Sequence, residues 1–447
     1  MSTPVLNIGI CGFGTVGQGV WKHLSANRAR LESRLGVRFN LARAAVRDLG
    51  RARDVRIPRR LLTIDPLSIA RDPSIHIVCE LMGGTTTARE AVLAALQHGK
   101  PVVTANKALL SAHGEELFAA ARANLANLYY EASVAGGIPI IKILRESLVG
   151  NRTLALRGIV NGTCNYILTR MKLEGADFAD VLADAQRLGF AEADPSLDVD
   201  GHDAAHKTGI LASLAHGFWV RPEQVHVEGI RHVSRIDIQM AERLGYTIKL
   251  LGVVKNMAAR AGKGRRSKAG ILVAVYPALV RNDHVLASVN HAFNAVAVRG
   301  DMVGETLFYG RGAGGNPTAS SVLSDLADAA LDLRHDSHER VPAFVPHARG
   351  KTHVVPMAEA VSRYYVRLTV MDRPGVFARV ASVLGAAKIG ISSIFQPEGH
   401  EGEAVSVILM LHDASHAVLQ KAMARIARLP AVRGIPTVLR VEDTEGA

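Results

Sequence analysis

The apolar run Val5 to Cys11 passes straight into Gly12-Phe13-Gly14-Thr15-Val16-Gly17, after which helical spacing continues from Val16 through Leu24. A strand that turns into a helix on Gly-x-Gly-x-x-Gly has few folds open to it. The first glycine permits the tight turn, the second lets the backbone approach a pyrophosphate, and the third lets helix pack on strand, with the phosphates at the helix N-terminus. Gly12, Phe13, Gly14, Thr15, Val16 and Gly17 are therefore the first candidate cofactor-binding residues, in a domain expected to bind a dinucleotide. Outside this strand and helix the same glycines would mark only a turn in some other α/β domain.

Further strands read at Asn40 to Val46, Ile75 to Leu81 and Pro101 to Thr104, separated by helical periodicity such as that of Thr87 to His98. This alternation is the doubly wound parallel pattern of an α/β, Rossmann-type domain, here residues 1–139. In such a sheet the ligand sits at the C-terminal strand ends. Those ends carry Glu80-Leu-Met-Gly-Gly-Thr85 and Thr104-Ala-Asn-Lys107, so Thr85, Asn106 and Lys107 join the cofactor-side candidates. The second strand ends at Val46-Arg47-Asp48. Arg47, with Arg51 nearby, favours a 2′-phosphate and hence NADP, while Asp48 one position later keeps NAD open.

After Tyr130-Glu-Ala-Ser-Val-Ala-Gly-Gly-Ile-Pro139 the pattern becomes mixed, with strands at Ala155 to Val160 and Ile271 to Tyr276 and helices at Phe178 to Leu188 and His202 to His216. Residues 140–308 read as an α+β substrate-binding and dimerisation domain. Tyr309 to Ser321 is a glycine-rich loop, with Gly312 inside it, before another helix, and residues 336–360, rich in His, Pro and Arg, read as a linker. Tyr364 onward gives a strand, an Asp-x-Pro-Gly turn, a helix to Ala387 and a strand at Ile389 to Phe395, the opening of a βαββαβ unit over 361–447. This segment resembles the ACT domain, a small-molecule sensing module that often binds amino acids across a subunit interface.

The most informative chemistry lies in Gly189-Phe-Ala-Glu192-Ala-Asp194-Pro195-Ser-Leu-Asp198-Val-Asp200-Gly201-His202-Asp203-Ala-Ala-His206-Lys207. Pro195 and Gly201 mark a loop that feeds a helix starting near His202, which puts Asp203 and Lys207 one turn apart on one face. Ile210 and Leu214 extend that face, so the Lys207 ammonium would project from an apolar stripe, where burial lowers its pKa and a carboxylate restores it. Ala185, Gly189, Phe190, Ala191, Asp194, Pro195, Asp198, Val199, Gly201, Asp203 and Lys207 fall where homoserine dehydrogenases have them, and the chain resembles that family throughout.

The resemblance implies reversible NAD(P)H-dependent reduction of L-aspartate 4-semialdehyde to L-homoserine, on the route to threonine, methionine and isoleucine. It implies Lys207 as proton donor with Asp203 orienting it, Glu192 holding the substrate's amino group, and Lys107 near the nicotinamide and the substrate carboxylate. It also returns about 309–335, with Gly312, to the nucleotide domain. Glu131, Val134, Gly136 and Ile138 match positions where the family can bind sodium through backbone carbonyls, and the same residues equally suit a plain loop between domains. Feedback by L-threonine on the ACT-like tail and a homodimer or homotetramer follow from the resemblance as well. The 447 residues lack the several hundred more that a fused aspartate kinase needs, so the likeness is to monofunctional members. Two departures stand out: Cys164, in Asn161-Gly-Thr-Cys164-Asn-Tyr166, where threonine is common, and Arg311, where proline is usual.

Composition narrows the alternatives. With 48% hydrophobic and 21% charged residues the chain suits two or three globular domains. Its net charge of +12 comes from scattered arginines and one short cluster, Lys263, Arg265, Arg266 and Lys268, without the motifs that read nucleic acid. Cys11, Cys79 and Cys164 form no Cys-x-x-Cys pair, and no apolar run reaches the ~20 residues of a membrane span, so a cytoplasmic protein is expected. His202 and His206 are i,i+4, but a zinc hydrolase needs glutamate directly after the first histidine and here Asp203 follows. A phosphorylating semialdehyde dehydrogenase would use Cys164 as nucleophile with a nearby histidine; no other feature supports it, and Cys164 reads as a small packing residue. An amino-acid sensor that keeps its nucleotide domain as a remnant is the non-enzymatic alternative.

Overall fold

The computed structural model describes residues 3–257, 261–262, 265–266, 269–338, 340–348, 352–397, 400 and 402–442. The short apolar runs of the N-terminal part become β1 (Val5–Cys11), β2 (Arg38–Ala45), β3 (Leu62–Thr63), β4 (Ile77–Glu80), β5 (Val102–Thr104) and β6 (Leu128–Tyr129). They pair in the order β3-β2-β1-β4-β5-β6, every neighbour parallel. That order is the doubly wound one, and it reverses between β1 and β4, where the Gly12 turn and the Glu80 to Thr85 loop leave the sheet. Connecting helices are α1 (Thr15–Ala26), α2 (Arg28–Leu35), α3 (Pro66–Arg71), α4 (Thr86–Gln97) and α5 (Lys107–Ala123). A two-sided sheet needs apolar residues on both faces, and β4 is buried along its whole length.

The chain continues through α6 (Ile140–Lys142) and a π-helical turn, Ile143–Ser147, into β7 (Thr153–Ile159), α7 (Gly162–Glu174), α8 (Phe178–Arg187), α9 (Ser196–Val199) and α10 (His202–His216). Next come β8 (His226–Val227), α11 (Arg235–Arg243), β9 (Tyr246–Met257), β10 (Ala261–Gly262), β11 (Arg265–Arg266) and β12 (Gly270–Arg281). β9 and β12 pair antiparallel over twelve residues each, through Pro277, whereas the sequence reading stopped short of that proline. Of the basic cluster, Arg265 and Arg266 pair with Ala261 and Gly262, while Lys263 and Lys268 lie outside the described residues.

β13 (Phe293–Gly300) and β14 (Gly304–Arg311) are neighbours, and α12 (Gly315–Arg334) follows. Ala319, Val322, Leu326, Ala329 and Ala330 of α12 share one core cluster with Ile8, Ile10 and Val103 of the nucleotide-type sheet and with Val20 and Leu24 of α1. The stretch read as a linker is packed where it is described. Asn127 Nδ2 and Tyr130 Oη donate to the carbonyls of Val341 and Ala343, Phe344 stacks on Phe118 at 5.6 Å, and the amides of Ile271 and Val355 donate to the carbonyls of His353 and Ile271.

The tail is β15 (Val361–Met371), α13 (Val376–Ala386), β16 (Ile391–Phe395), β17 (Ala404–Ser415), α14 (His416–Ile426) and β18 (Val432–Glu442), the βαββαβ order, around a core of Val366, Leu368, Leu384, Leu409, Leu419 and Ile426 among others. Its strands extend β9 and β12 as β9-β12-β18-β15-β17-β16. Two units emerge: Met1–Leu156, His206–Glu223 and Asn294–Thr352 form one, and Arg157–Ala205, Gln224–Phe293 and His353–Ala447 the other. Among the described residues no helix is long and apolar enough to cross a membrane.

Candidate active site

The three motif glycines are held for three different reasons. Gly12 has φ +100°, and a Cβ there would lie 2.5 Å from the Leu81 backbone; one on Gly17 would lie 2.3 Å from the Gly12 carbonyl oxygen. Gly14, the N-cap of α1, would meet nothing within 4 Å. Chain packing thus demands the first and third, while the second faces open space at a helix N-terminus that no side chain caps, a setting suited to a phosphate. Phe13 points into the core, so only its backbone is available, whereas Thr15 is exposed. Gly315 brings the start of α12 against α1, since its Cβ would lie 3.3 Å from Thr15 Cγ2. Gly312 is buried, with room for no side chain beside Asn294.

The loops after β4 and β5 are tied together by Glu80, which the sequence reading named only as part of a loop. Its carboxylate accepts from Thr104 Oγ1 at 2.7 Å and from the amides of Met82 and Gly83 at 2.8 and 3.3 Å. Burial pushes this carboxyl up, and those hydrogen bonds oppose the push. Asn106 extends the network, its amide donating to Thr104 Oγ1 at 3.0 Å and its Nδ2 to the Gly84 carbonyl at 2.7 Å. Asn106 also caps α5 by accepting from the Leu109 amide, which sets Lys107 in the first turn of that helix. Thr85 is the N-cap residue of α4. Arg47 is exposed, two residues past β2, while the Asp48 carboxylate is engaged locally by the Gly50 amide at 2.7 Å. Arg53, Arg56 and Arg59 line a broad depression with Leu49 and Val55.

Glu131, Val134, Gly136 and Ile138 lie on one buried turn. Both Glu131 oxygens are occupied, by the amides of Ile141 and Lys142 at 2.8 Å each, and the Glu131 amide donates to Asp325 Oδ2 at 2.8 Å. Burial pushes Glu131 up to about 7 and Asp325 well above the usual carboxylate range. The Gly136 carbonyl accepts from Ser321 Oγ and that of Ile138 from the Ile140 amide, which leaves each a second lone pair. These backbone carbonyls are the atoms that would hold a monovalent cation.

The acidic run sorts into separate environments. The Asp194 carboxylate accepts from the Ser196 amide at 3.0 Å, a turn contact, and Asp200 pairs with Arg231. Asp198 belongs elsewhere: Asn161 Nδ2 donates to Asp198 Oδ1 at 2.7 Å and to Asp203 Oδ2 at 2.9 Å. Asp198, in the first turn of α9, stands with Asp203 because Asn161, the N-cap of α7, reaches both. Asp203 and Lys207 are 4% and 8% exposed on α10, so the lysine sits in the buried setting its spacing implied. Glu192 is exposed, its loop held by Gln186 Nε2, which donates to the carbonyls of Glu192 and Ala193. Thr163 Oγ1 fixes the Phe190 carbonyl at 2.8 Å. Cys164 is fully buried with its thiol on the Asp198 carbonyl at 3.2 Å, a packing position that gives a substrate no approach.

Comparison with known proteins converges on one family. Family models described as "Homoserine dehydrogenase, NAD binding domain", "Homoserine dehydrogenase" and "ACT domain" match residues 12–131, 139–327 and 364–431. The homoserine dehydrogenase of Pseudomonas aeruginosa is 43% identical over 98% of this chain and 99% of its own length. The crystal structure of the Thiobacillus denitrificans homoserine dehydrogenase superposes with a TM-score of 0.89 at 43% identity, covering 98% of each chain. A hyperthermophilic archaeal homoserine dehydrogenase in complex with NADPH covers 73% of this chain and 98% of its own, with a TM-score of 0.61 at 29% identity. A dinucleotide-type glycine turn, a buried lysine one turn from a fixed aspartate, a βαββαβ tail and full-length likeness agree: the chain belongs to the homoserine dehydrogenase family, NAD(P)-dependent oxidoreductases.

Proposed function

We propose that this enzyme interconverts L-aspartate 4-semialdehyde and L-homoserine with Lys207 as the proton donor. The bound nicotinamide supplies the hydride for reduction. The chain's own task is the aldehyde oxygen, which would become an unstable alkoxide at neutral pH unless a cation polarises it and yields a proton. Lys207 does this, and Asp203, itself held by Asn161, orients it. Glu192 takes the substrate ammonium. Lys107, in the first turn of α5, faces the substrate carboxylate or relays the proton. The observation that carries this reading is the pair Asp203 and Lys207, both buried, on one helix, with the aspartate anchored at 2.9 Å.

NADP is the preferred cofactor in this reading. Arg47 and the arginines of the adjoining depression support a 2′-phosphate, Asp48 is already engaged by its own turn, and an archaeal relative is complexed with NADPH. Gly12 to Gly17, Thr85, Asn106 and Gly312 would line the rest of the cofactor site, and a sodium ion would bind the carbonyls of the Glu131 to Ile138 turn. The tail senses L-threonine, supported by a small cavity lined by Leu368, Asp372, Arg373, Val376 and Gln396. Residues 140–308 carry the dimer or tetramer contacts, in a cytoplasmic enzyme of threonine, methionine and isoleucine synthesis.

The test is steady-state oxidation of homoserine with NADP+ and with NAD+, in the unsubstituted enzyme and in Lys207→Ala. NADP+ should give the higher kcat/KM, and Lys207→Ala should lower turnover by about 10²- to 10⁴-fold with cofactor binding intact. Near-normal turnover in Lys207→Ala would sink the assignment of the proton donor.

A further inference from the structure

The last strand of the tail reaches beyond its own module. β18 pairs antiparallel with β15, and its final residues pair in parallel with β12, Ala278 opposite Arg440 and Val280 opposite Glu442. Two charged residues are thereby placed inside a merged sheet at 1% and 0% exposure. Charges so buried persist only with partners. Arg440 donates to both oxygens of Glu228 at 2.7 Å, lies 4.5 Å from the centroid of the Tyr276 ring, and comes within 3.2 Å of His416 Nδ1. Glu442 accepts from Arg157 Nε at 3.1 Å, Lys255 Nζ at 2.8 Å and Tyr276 Oη at 2.7 Å.

Both sets of partners lead to the acidic run. Next to Glu228, a Cβ on Gly229 would lie 2.2 Å from the Val199 carbonyl oxygen and 2.5 Å from Asp200 Cα, and the Ile230 amide donates to that same Val199 oxygen at 2.8 Å. Gly201 closes the contact from the other side, its Cβ position 3.2 Å from the Glu228 carbonyl oxygen. The backbone from Glu228 to Ile230 is thus packed against Val199 to Gly201, the link between Asp198 and Asp203. Arg157 lies on β7, which ends two residues before Asn161, whose side chain holds both of those aspartates. His226, Glu228 and His416 place ligand-type atoms within 4.8 Å of one another, but the permanently charged guanidinium already takes both Glu228 oxygens, so a metal ion would have to displace it.

We propose that Arg440 and Glu442 are positioning residues for the homoserine site, bracing the loop from Glu192 to Asp203 through Glu228 and Arg157. The proposal rests on the assignment of that loop to the substrate. A loop shifted by about 1 Å can cost up to ~100-fold, so Arg440→Met and Glu442→Gln in the full-length enzyme should raise the KM for homoserine about tenfold while the KM for the cofactor stays within about twofold. Arg440→Lys, which keeps the charge but loses the two-point grip, should fall between. A purely structural role would lower the melting temperature and the active fraction and leave the homoserine KM where it was. An unchanged homoserine KM in folded variants overturns the proposal. If Arg440→Met does not fold, the milder Arg440→Lys and Glu442→Gln carry the same reading. Lys207→Ala separates the two levels: normal turnover there would refute the site assignment, whereas an inactive Lys207→Ala beside an unaltered homoserine KM in the tail variants would refute only this inference.

Discussion

Asn161 is the point on which the candidate site turns, and its replacement gives the sharpest test. Its Oδ1 accepts from the Cys164 amide at 2.8 Å, capping α7, while its Nδ2 donates to Asp198 at 2.7 Å and Asp203 at 2.9 Å. Asn161→Ala removes a cap worth about 1 kcal/mol and two hydrogen bonds to carboxylates worth about 1.5 to 3 kcal/mol each. Because the three share one side chain, a loss of about 3 to 5 kcal/mol is expected wherever both carboxylates are ionised, rather than their full sum. Asn161→Asp separates the two functions. The cap survives, but a third carboxylate now faces two others at about 3 Å, which at an effective dielectric of about 20 amounts to roughly 5 kcal/mol per pair. Like charges so close resist being ionised together, so one of the three carboxyls keeps its proton to a higher pH than a free carboxyl would. A carboxyl raised in the folded state favours folding at low pH, and the benefit disappears as pH rises through the folded value. Thermal midpoints relative to the unsubstituted enzyme, measured at pH 5 and pH 8, should therefore diverge for Asn161→Asp and run parallel for Asn161→Ala. Homoserine oxidation should follow, with Asn161→Asp more impaired at the alkaline end. Parallel behaviour of both variants would refute the shared hydrogen bonding.

Lys249 is buried on β9 and donates to the Val289 carbonyl, Asn165 Oδ1 and Asn290 Oδ1; burial, with the Lys172 ammonium second, pulls it down from 10.5 to about 7. Between those values the unfolded chain binds a proton that the folded one lacks, so stability rises with pH, by about 2 kcal/mol between pH 7 and 9. Lys249→Met should lack that rise, and equal pH slopes of the thermal midpoint would contradict the reading. Glu131, raised to about 7 from 4.5, works the other way: its share of stability is present below about 4.5 and falls away as pH climbs to about 7. Replacing choline chloride by sodium chloride should accordingly raise the melting temperature more at pH 8 than at pH 5.5, and Glu131→Gln should abolish the difference; no sodium-specific gain at pH 8 would remove the sodium site. L-threonine at about 100 times its dissociation constant should add about 2.7 kcal/mol, and a melting curve unmoved by threonine would leave the tail with another effector.

The local features were legible because their causes are local. Gly12 and Gly17 are dictated by a turn and a helix packing within a dozen residues, and the α10 boundary follows from a glycine and the spacing behind it. The opening of the ACT-like tail, its first strand, turn, helix and second strand, is readable for the same reason, and the rest of its order follows from the resemblance. The sequence pattern ends β12 early because a proline interrupts its apolar run, and only the partner strand shows that the pairing carries on through Pro277.

The sequence by itself thus determined the nucleotide-type sheet, the helix that carries Asp203 and Lys207, and the family to which both belong. Tertiary structure alone decided which of the carboxylates in the run after Gly189 stand together. Asp198 joins Asp203 because Asn161, 37 and 42 residues away, points its amide between them. Glu80 gathers two loops through a hydroxyl 24 residues on, and Arg440 reaches Glu228 across 212. Such contacts depend on where strands and caps come to rest after the chain has folded. No periodicity or spacing encodes them, since a hydrogen bond is set by distance in space and is indifferent to distance along the chain.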